Sequence, residues 1–177
     1  MDESGLEQWL SRLNYRAALV FTDVVGSTQI LFDRQTLEFE HLLEAHRRRV
    51  ATVVREFDGW LIETANDSTF AAFPTVAQAC RYALSLQQDA GPPQIGVRCG
   101  VHVGSVRQQD GGLVGRNVYF AARVLSHGVG AEVWMSEAAR QSLETDAPDT
   151  LAALTLSDSA EVTLKGVPEP AKLWRIY

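Results

Sequence analysis

The sequence predicts an α+β fold with a β-α-β-β-α-β core and additional strands and helices towards the C-terminus. Apolar runs of strand length follow that order, separated by two longer segments whose apolar residues recur at helical spacing. The 177 residues, 46% of them hydrophobic, suffice for one domain with an ordinary core. A chain with this order of elements usually becomes a ferredoxin-like sandwich, with its helices on one face of the sheet.

The first half of the chain supplies the core elements. Apolar residues at helical spacing predict an amphipathic helix within residues 1–16, packed on a domain that spans residues 17–177. The stretch 16–24 (RAALVFTDV) is typical of a buried strand, and 35–57 of a long helix with one apolar face. The three arginines 47–49 on that helix are interpreted as a solvated face.

Two strands, a second helix and another strand complete the predicted core. The runs WLIET (60–64) and STFAAF (68–73) predict a hairpin, because turn-forming residues join them. VAQACRYALSLQQ (76–88) predicts the second helix, and IGVRCGVHVG (95–104) the fourth strand.

The C-terminal third predicts a less regular extension. A Gly-rich turn (108–117) precedes a helix, VYFAARVLS (118–126), a short strand, EVWMS (132–136), and a helix, EAARQSL (137–143). An acidic loop over 144–160 then leads to two strands, EVTLKG (161–166) and KLWRIY (172–177).

Composition excludes several classes of function. The charge is 16 minus 22, or −6, without a basic block, so binding of nucleic acid through its phosphates is not expected. There is no run of about 18 apolar residues and the N-terminus is acidic, so we expect a cytoplasmic protein with no membrane partner. Cys80 and Cys99 lie among apolar neighbours, which is typical of reduced core thiols.

Two aspartates are predicted to meet at one end of the core. Asp23 ends the first strand and Asp67 lies in the turn before the third, and these strands are antiparallel neighbours in the predicted sandwich. Facing carboxylates repel unless a cation lies between them, which indicates a site for Mg²⁺ or Mn²⁺. From spacing alone, a structural interpretation is equally good, in which Asp23 is a cap and Asp67 a turn residue.

Five motifs in order carry a family resemblance: FTDVVGST, ETANDSTFAAF, VRCGVHVG, GRNVYFAARV and LKG. Together they resemble the class III nucleotidyl cyclase domain, the family of adenylyl and guanylyl cyclases, over residues 17–177. The resemblance implies that two divalent ions, Mn²⁺ or Mg²⁺, hold a nucleoside triphosphate while its 3′-hydroxyl attacks the α-phosphorus and pyrophosphate leaves. It also implies a head-to-tail homodimer whose sites lie at the interface and use residues of both chains.

The resemblance implies a metal and phosphate half of each site. Its metal ligands would be Asp23, Asp67 and the carbonyl of Val24. Its phosphate-binding groups would be Arg98 and the backbone amides of residues 25–28, which include Gly26, Ser27 and Thr28. A surface arginine of the strand is the alternative for Arg98.

The other half of the site combines matches with departures. Arg123 matches the arginine that stabilises charge in the transition state, and a helix arginine in a surface ion pair is the alternative. Tyr119 stands where the family has a ribose-orienting asparagine, so a phenol would take that role or stack on the nucleotide. Val167 stands where adenylyl cyclases place a triphosphate lysine, which leaves the role of Lys165 open.

The residues aligned with the base readers differ from those of adenylyl cyclases. Glu63 replaces a lysine, and Gly112 lies near the place of an aspartate or threonine. A carboxylate facing adenine N1, which is an acceptor, disfavours ATP. Glu63 suits guanine, whereas aromatic bulk at Tyr119 and Phe120 favours a smaller pyrimidine.

A further resemblance is to the stand-alone bacterial pyrimidine cyclases of anti-phage defence, which make cyclic UMP or cyclic CMP. This resemblance ranks UTP first, ahead of CTP, with cyclic UMP as a second messenger for a separate cyclic-nucleotide-binding effector protein. The alternatives are a guanylyl cyclase and a catalytically silent domain that binds a nucleotide or dimerises as a regulator. A general triphosphate-hydrolysing enzyme on the same core is a third alternative, for which the sequence offers no dedicated base.

Overall fold

A computed structural model describes residues 3–33, 36–88 and 95–177. Within these ranges no helix is both long enough and apolar enough to span a bilayer. The helices are α1 (Glu3–Arg12), α2 (Ser27–Asp33), α3 (Thr36–Glu56), α4 (Val76–Gln88), α5 (Arg116–His127), α6 (Glu137–Asp146) and α7 (Pro148–Ala153). The strands are β1 (Arg16–Val24), β2 (Trp60–Ala65), β3 (Ser68–Phe73), β4 (Val97–Ser105), β5 (Arg107–Gln109), β6 (Gly112–Val114), β7 (Val133–Ser136), β8 (Ala160–Val162) and β9 (Ala171–Ile176).

The main sheet has seven strands in the order β2-β3-β1-β4-β7-β9-β8. Its first four strands pair antiparallel in the order of a ferredoxin-like sandwich, with β1 between β3 and β4. β7 joins β4 in parallel, and β9 and β8 follow antiparallel. The predicted α+β class, with a ferredoxin-like core and a C-terminal extension, is confirmed.

Apolar layers cover both faces of this sheet, so the central strand β1 is buried on both of its faces. Ala18 and Val20 belong to the core that contains buried residues of α3, α4 and α6. Ala17 and Leu19 point to the opposite face and join the core that contains Leu6 of α1 and residues of α5. The face that carries α1 and α5 also carries the site residues of β1 and β4.

Two local predictions are wrong, and one helix was not predicted. The residues after Gly26 form α2 at once, a helix that the sequence analysis did not identify. The Gly-rich turn is a small hairpin of β5 and β6, and the acidic loop contains α7. The long helix was predicted from residue 35, which lies outside the described residues, as do residues 1 and 2 of the N-terminal segment.

The two cysteines behave as predicted. Cys80 and Cys99 are free and fully buried. Burial raises the pKa of each thiol to about 12, so neither is a reactive thiolate near neutral pH.

Candidate functional site

Strand register brings Asp23 close to the turn that carries Asp67. β1 pairs antiparallel with β3, and Thr22 lies opposite Thr69, where the two buried hydroxyl oxygens are 2.6 Å apart. Asp23 follows Thr22 on β1, and Asp67 precedes the start of β3. The chain therefore presents both carboxylates at one end of the sheet.

Arg98 forms an ion pair with Asp23 across two paired strands. These residues are register partners on β4 and β1, and the guanidinium donates from Nε to Oδ1 at 2.9 Å and from Nη2 to Oδ2 at 2.5 Å. Its Nη1 donates to the carbonyl of Gly128, just beyond α5, at 2.5 Å. The hydrogen bond with Asp23 raises the pKa of Arg98, and the negative charges of Asp23 and Asp67 act in the same direction. Arg98, for which the sequence predicts a phosphate-binding role, is thus paired with Asp23 in this structure.

The donor groups at this end of the sheet fit a hard divalent cation. Asp23 pairs with the guanidinium of Arg98, and the negative charges of Asp67 and Glu132 also favour its charged form, so this end of the sheet favours a positive charge. Among the described residues there is no group of three or more histidine, cysteine, aspartate or glutamate side chains that would hold a metal ion. Mg²⁺ and Mn²⁺ bound through one or two carboxylates usually take their other ligands from water and substrate phosphates. The carbonyl of Val24, the last residue of β1, is the remaining predicted ligand.

The loop after β1 supplies backbone amides, though fewer than predicted. The amide of Val25 donates to the carbonyl of Gly96 at 2.8 Å, so it is already bonded and does not belong to a phosphate cradle. Gly26 has φ +69°, and a Cβ there would meet no atom within 4 Å. Ser27 and Thr28 begin α2, where the first amides of a helix lack intrahelical partners.

Ser27 and Thr28 share a groove of about 220 Å³ with Asp67. Asn66, next to Asp67 in the turn, also lines it, and three apolar side chains complete the wall: Leu31, Phe39 and Leu43. Two small residues that follow β1, Ser27 and Thr28, therefore line the same groove as Asp67.

A second cluster lies around the N-terminal half of α5. Tyr119, Arg123 and Lys165 line a groove of about 600 Å³, together with Val167. Tyr119 is 73% exposed, so its phenol is available to a ligand. This groove shares no lining residue with the one at Asp67.

His102 fixes the start of α5. Its side chain is 5% exposed, and its Nδ1 and Nε2 lie 2.8 Å from Ser136 Oγ and 3.2 Å from Asn117 Oδ1. The amide of Asn117 donates to the carbonyl of Ser105 at 2.8 Å, and the imidazole contacts the ring of Phe120 with centroids 4.6 Å apart. Burial lowers the pKa of His102. His102 is thus a hydrogen-bonded residue of β4.

A β-bulge decides where Glu63 lies. The register of β2 against β3 shifts between Leu61 and Glu63, so that Glu63 is opposite Phe70. Directly opposed residues share a sheet face, and Phe70 belongs to the core on the α1 and α5 face. Glu63 is exposed on that face, and β2 contacts β6, which begins with Gly112. The bulge thus places Glu63 on the α1 and α5 face of a strand that contacts β6.

The interpretation of arginines 47–49 as a solvated face is wrong for two of the three. Arg47 donates to the carbonyl of Asn66, and Arg49 to that of Ser85, whereas Arg48 pairs with Glu44 on the exposed side of α3. A signal was present in the sequence, because Arg47 lies four residues after buried Leu43, on the apolar stripe of the helix.

His46 on α3 is a further residue that the sequence analysis missed. It is 4% exposed, and its Nε2 has no hydrogen-bond partner. Burial, followed by the charges of Arg49 and Arg47, lowers its pKa to about 4.

Comparisons with known proteins agree with this fold. The model of the family described as the Adenylate and Guanylate cyclase catalytic domain matches residues 12–176. A search of curated proteins finds no match.

Solved cyclase structures share the fold. An adenylate cyclase of Trypanosoma brucei, described in its monomeric state, has a TM-score of 0.80 at 21% identity, with 93% of this chain and 90% of that chain covered. An adenylate/guanylate cyclase/hydrolase from Silicibacter pomeroyi has a TM-score of 0.76 at 22% identity, covering 91% and 95%. The guanylate cyclase domain of RhGC from Catenaria anguillulae, solved with GTP, has 0.76 at 16%, covering 92% and 96%.

Proposed function

This chain belongs to the Adenylate and Guanylate cyclase catalytic domain family, and we propose that it is a nucleotidyl cyclase that converts a nucleoside triphosphate to its 3′,5′-cyclic monophosphate and pyrophosphate. The observation that carries the proposal is that β1 and the turn before β3 present Asp23 and Asp67 at the same end of the sheet, where Asp23 pairs with Arg98. A domain that only dimerised would have no use for such a paired carboxylate site. The silent regulatory domain is therefore the second candidate, and the departures at Tyr119 and Val167 are what favours it.

The roles of the chain's own residues follow from their chemistry. The ligands of two Mn²⁺ or Mg²⁺ ions per site would be Asp23, Asp67 and the carbonyl of Val24. Bound there, the ions would neutralise charge on the triphosphate and lower the pKa of the ribose 3′-hydroxyl. The amides of Gly26, Ser27 and Thr28 would donate to phosphate oxygens.

Arginines would stabilise the remaining charge of the triphosphate. Arg98 would leave Asp23 as the cation binds and pair with the β- or γ-phosphate, for which a planar guanidinium is suited. Arg123 would stabilise the charge that develops as the 3′-oxygen bonds to the α-phosphorus and the bond to the pyrophosphate oxygen breaks.

We propose that the working unit is a homodimer with its sites at the interface. The support is geometric, because Asp67 and Arg123 line separate grooves of one chain. In-line displacement needs the metal ligands and the transition-state arginine around one phosphate. A second copy placed head to tail would bring Arg123 and Tyr119 of one protomer to Asp23 and Asp67 of the other.

The proposed substrate is UTP, ahead of CTP and GTP. Glu63 is exposed on the face that carries α5, where a carboxylate can accept a hydrogen bond from a base N–H. Uracil presents such a donor at N3, and guanine presents donors at N1 and N2, whereas adenine presents an acceptor at N1 and is disfavoured. The exposed phenol of Tyr119 is available to stack on a small base or its sugar.

The biological role that we propose rests on the resemblance to pyrimidine cyclases. Cyclic UMP would act as a second messenger in bacterial anti-phage defence and would be bound by a separate effector protein in the cytoplasm. A guanylyl cyclase is the alternative that Glu63 itself favours, since one carboxylate can accept both guanine N–H groups.

The test is to incubate the purified protein with ATP, GTP, CTP and UTP separately in the presence of Mn²⁺ and to identify cyclic monophosphates by mass spectrometry. Cyclic UMP as the main product, lost in Asp67→Asn, supports the proposal. Cyclic GMP as the main product supports the guanylyl alternative. Absence of every cyclic product supports the silent regulatory domain.

A further inference from the structure

Arg47 holds the turn that carries Asp67. This arginine of α3 donates two hydrogen bonds to one acceptor, the carbonyl oxygen of Asn66, from Nε at 3.0 Å and from Nη2 at 2.6 Å. Both donors of one planar fork meet the same oxygen, which fixes the direction of that carbonyl more tightly than a single flexible donor would.

The carbonyl that Arg47 binds belongs to the peptide unit that leads into Asp67. A peptide unit is planar, so fixing the oxygen of Asn66 also fixes the amide nitrogen and Cα of Asp67. Asn66 has φ +52°, a left-handed conformation that costs a residue with a Cβ more than it costs glycine. Asparagine is one of the residues that tolerate this conformation, and Arg47 adds a contact to the turn from another element.

We propose that Arg47 is a positioning residue for the divalent-cation site. It holds the turn so that the Asp67 carboxylate stands beside Asp23 at the spacing that a cation requires. The inference rests on the proposed function for the identity of Asp67 as a metal ligand, and it adds a residue of α3 that touches neither the cation nor the nucleotide.

The charge of Arg47 and its positioning role predict opposite effects on the affinity for a divalent cation. Arg47 brings a positive charge near the site, and its removal alone would strengthen the binding of a divalent cation. Loss of positioning would weaken binding, because outer contacts of metal ligands usually contribute about 10-fold to 100-fold in metal affinity. The sign of the change therefore separates the two.

The chain offers a matched control on the same helix. Arg48, the next residue, carries the same charge, but its side chain pairs with Glu44, one turn earlier, in an exposed ion pair at 3.2 Å. Arg48→Gln removes the same charge from α3 without touching the turn.

The experiment measures Mn²⁺ binding to the full chain from the electron paramagnetic resonance signal of free Mn²⁺. Wild type is compared with Arg47→Gln, Arg47→Lys, Arg48→Gln and Asp67→Asn, and circular dichroism checks that each variant is folded. We expect Mn²⁺ to bind about tenfold more weakly to both Arg47 variants, because lysine keeps the charge without the planar fork, and to be nearly unchanged in Arg48→Gln.

Equal or tighter binding by Arg47→Gln overturns the proposal, as does a wild type that binds no Mn²⁺ or binds it independently of Asp67. Because this assay needs no turnover, it also separates the two proposals. Weakened binding in both Arg47 variants without any cyclic product would support the positioning role and contradict only the cyclase. If cyclic product forms, raising Mn²⁺ should restore the kcat of Arg47→Lys.

Discussion

The guanidinium of Arg98 covers both carboxylate oxygens of Asp23, with donor–acceptor distances of 2.9 and 2.5 Å. The two residues are strand partners, so the contact is set by the register of β1 and β4 and is not an accident of two flexible side chains. A divalent cation would need the same oxygens. Arg98 therefore pairs with the carboxylate of Asp23 here and, in the proposed mechanism, with a phosphate of the substrate once the cation is bound.

Arg98→Gln is expected to separate these roles. Removing the guanidinium leaves the Asp23 oxygens free, so Mn²⁺ should bind at least as tightly, whereas KM for the nucleotide should rise about tenfold or more because a charge-assisted phosphate contact is lost. Mn²⁺ titration and steady-state kinetics measure the two effects. Arg107→Gln, on the exposed hairpin strand β5, serves as the control. An unchanged KM would mean that Arg98 serves only the carboxylate.

Asp23→Asn and Asp67→Asn should each lower turnover by at least about 100-fold, because an amide is a poorer ligand for a hard cation than a carboxylate. Both changes nearly preserve side-chain size, so circular dichroism should still report a folded chain. Asp110→Asn, in the exposed turn between β5 and β6, is the matched control and should retain wild-type turnover. Full Mn²⁺-dependent turnover in either site variant would refute the metal assignment.

Arg123→Ala should lower kcat by about 100-fold to 1000-fold with little change in KM, since the contact is proposed to strengthen only as charge develops in the transition state. Steady-state kinetics over a range of nucleotide concentrations measures both constants. Arg123→Lys keeps the charge and should recover part of the rate. If KM rises while kcat stays the same, Arg123 is a ground-state contact.

His46 should make the fold less stable in mild acid. Its pKa in the folded chain is about 4, below the ordinary value of 6.5, so the unfolded chain binds more protons between these values and stability falls as pH falls through that window. The contribution lost at pH 5 is about 2 kcal/mol relative to pH 7.5.

Urea denaturation of wild type and His46→Gln at both pH values isolates this effect. The difference in the free energy of unfolding between pH 7.5 and pH 5 should be smaller in His46→Gln than in wild type. His41→Gln, on the exposed side of the same helix, should behave like wild type. Equal pH dependence in all three proteins would contradict the assignment.

The sequence predicted most of the core because its elements carry strong periodic patterns. β1 is apolar on both faces and α4 has an apolar stripe, and the order of these elements leaves few topologies. The same reasoning placed Asp23 and Asp67 at one end of the sheet. Short elements could not be predicted in this way, because the three-residue strands β5 and β6 are too short to show periodicity.

Side-chain partners were less accessible from the sequence. The bulge that turns Glu63 to the α5 face is one extra residue in a strand, and no composition marks it. The pairing of Arg98 with Asp23 depends on the register between strands that lie far apart in the chain. The contact of Arg47 with Asn66 depends on how α3 crosses the sheet, which only tertiary packing decides.

The most direct test of the central claim is complementation between two inactive variants. Asp67→Asn and Arg123→Ala are produced separately and co-expressed, and cyclic nucleotide formation is measured. With the sites shared between protomers, random pairing gives one intact site in half of the dimers, so the co-expressed sample should regain about a quarter of wild-type activity. A co-expressed sample as inactive as its parents would contradict a site built from Asp67 of one protomer and Arg123 of its partner.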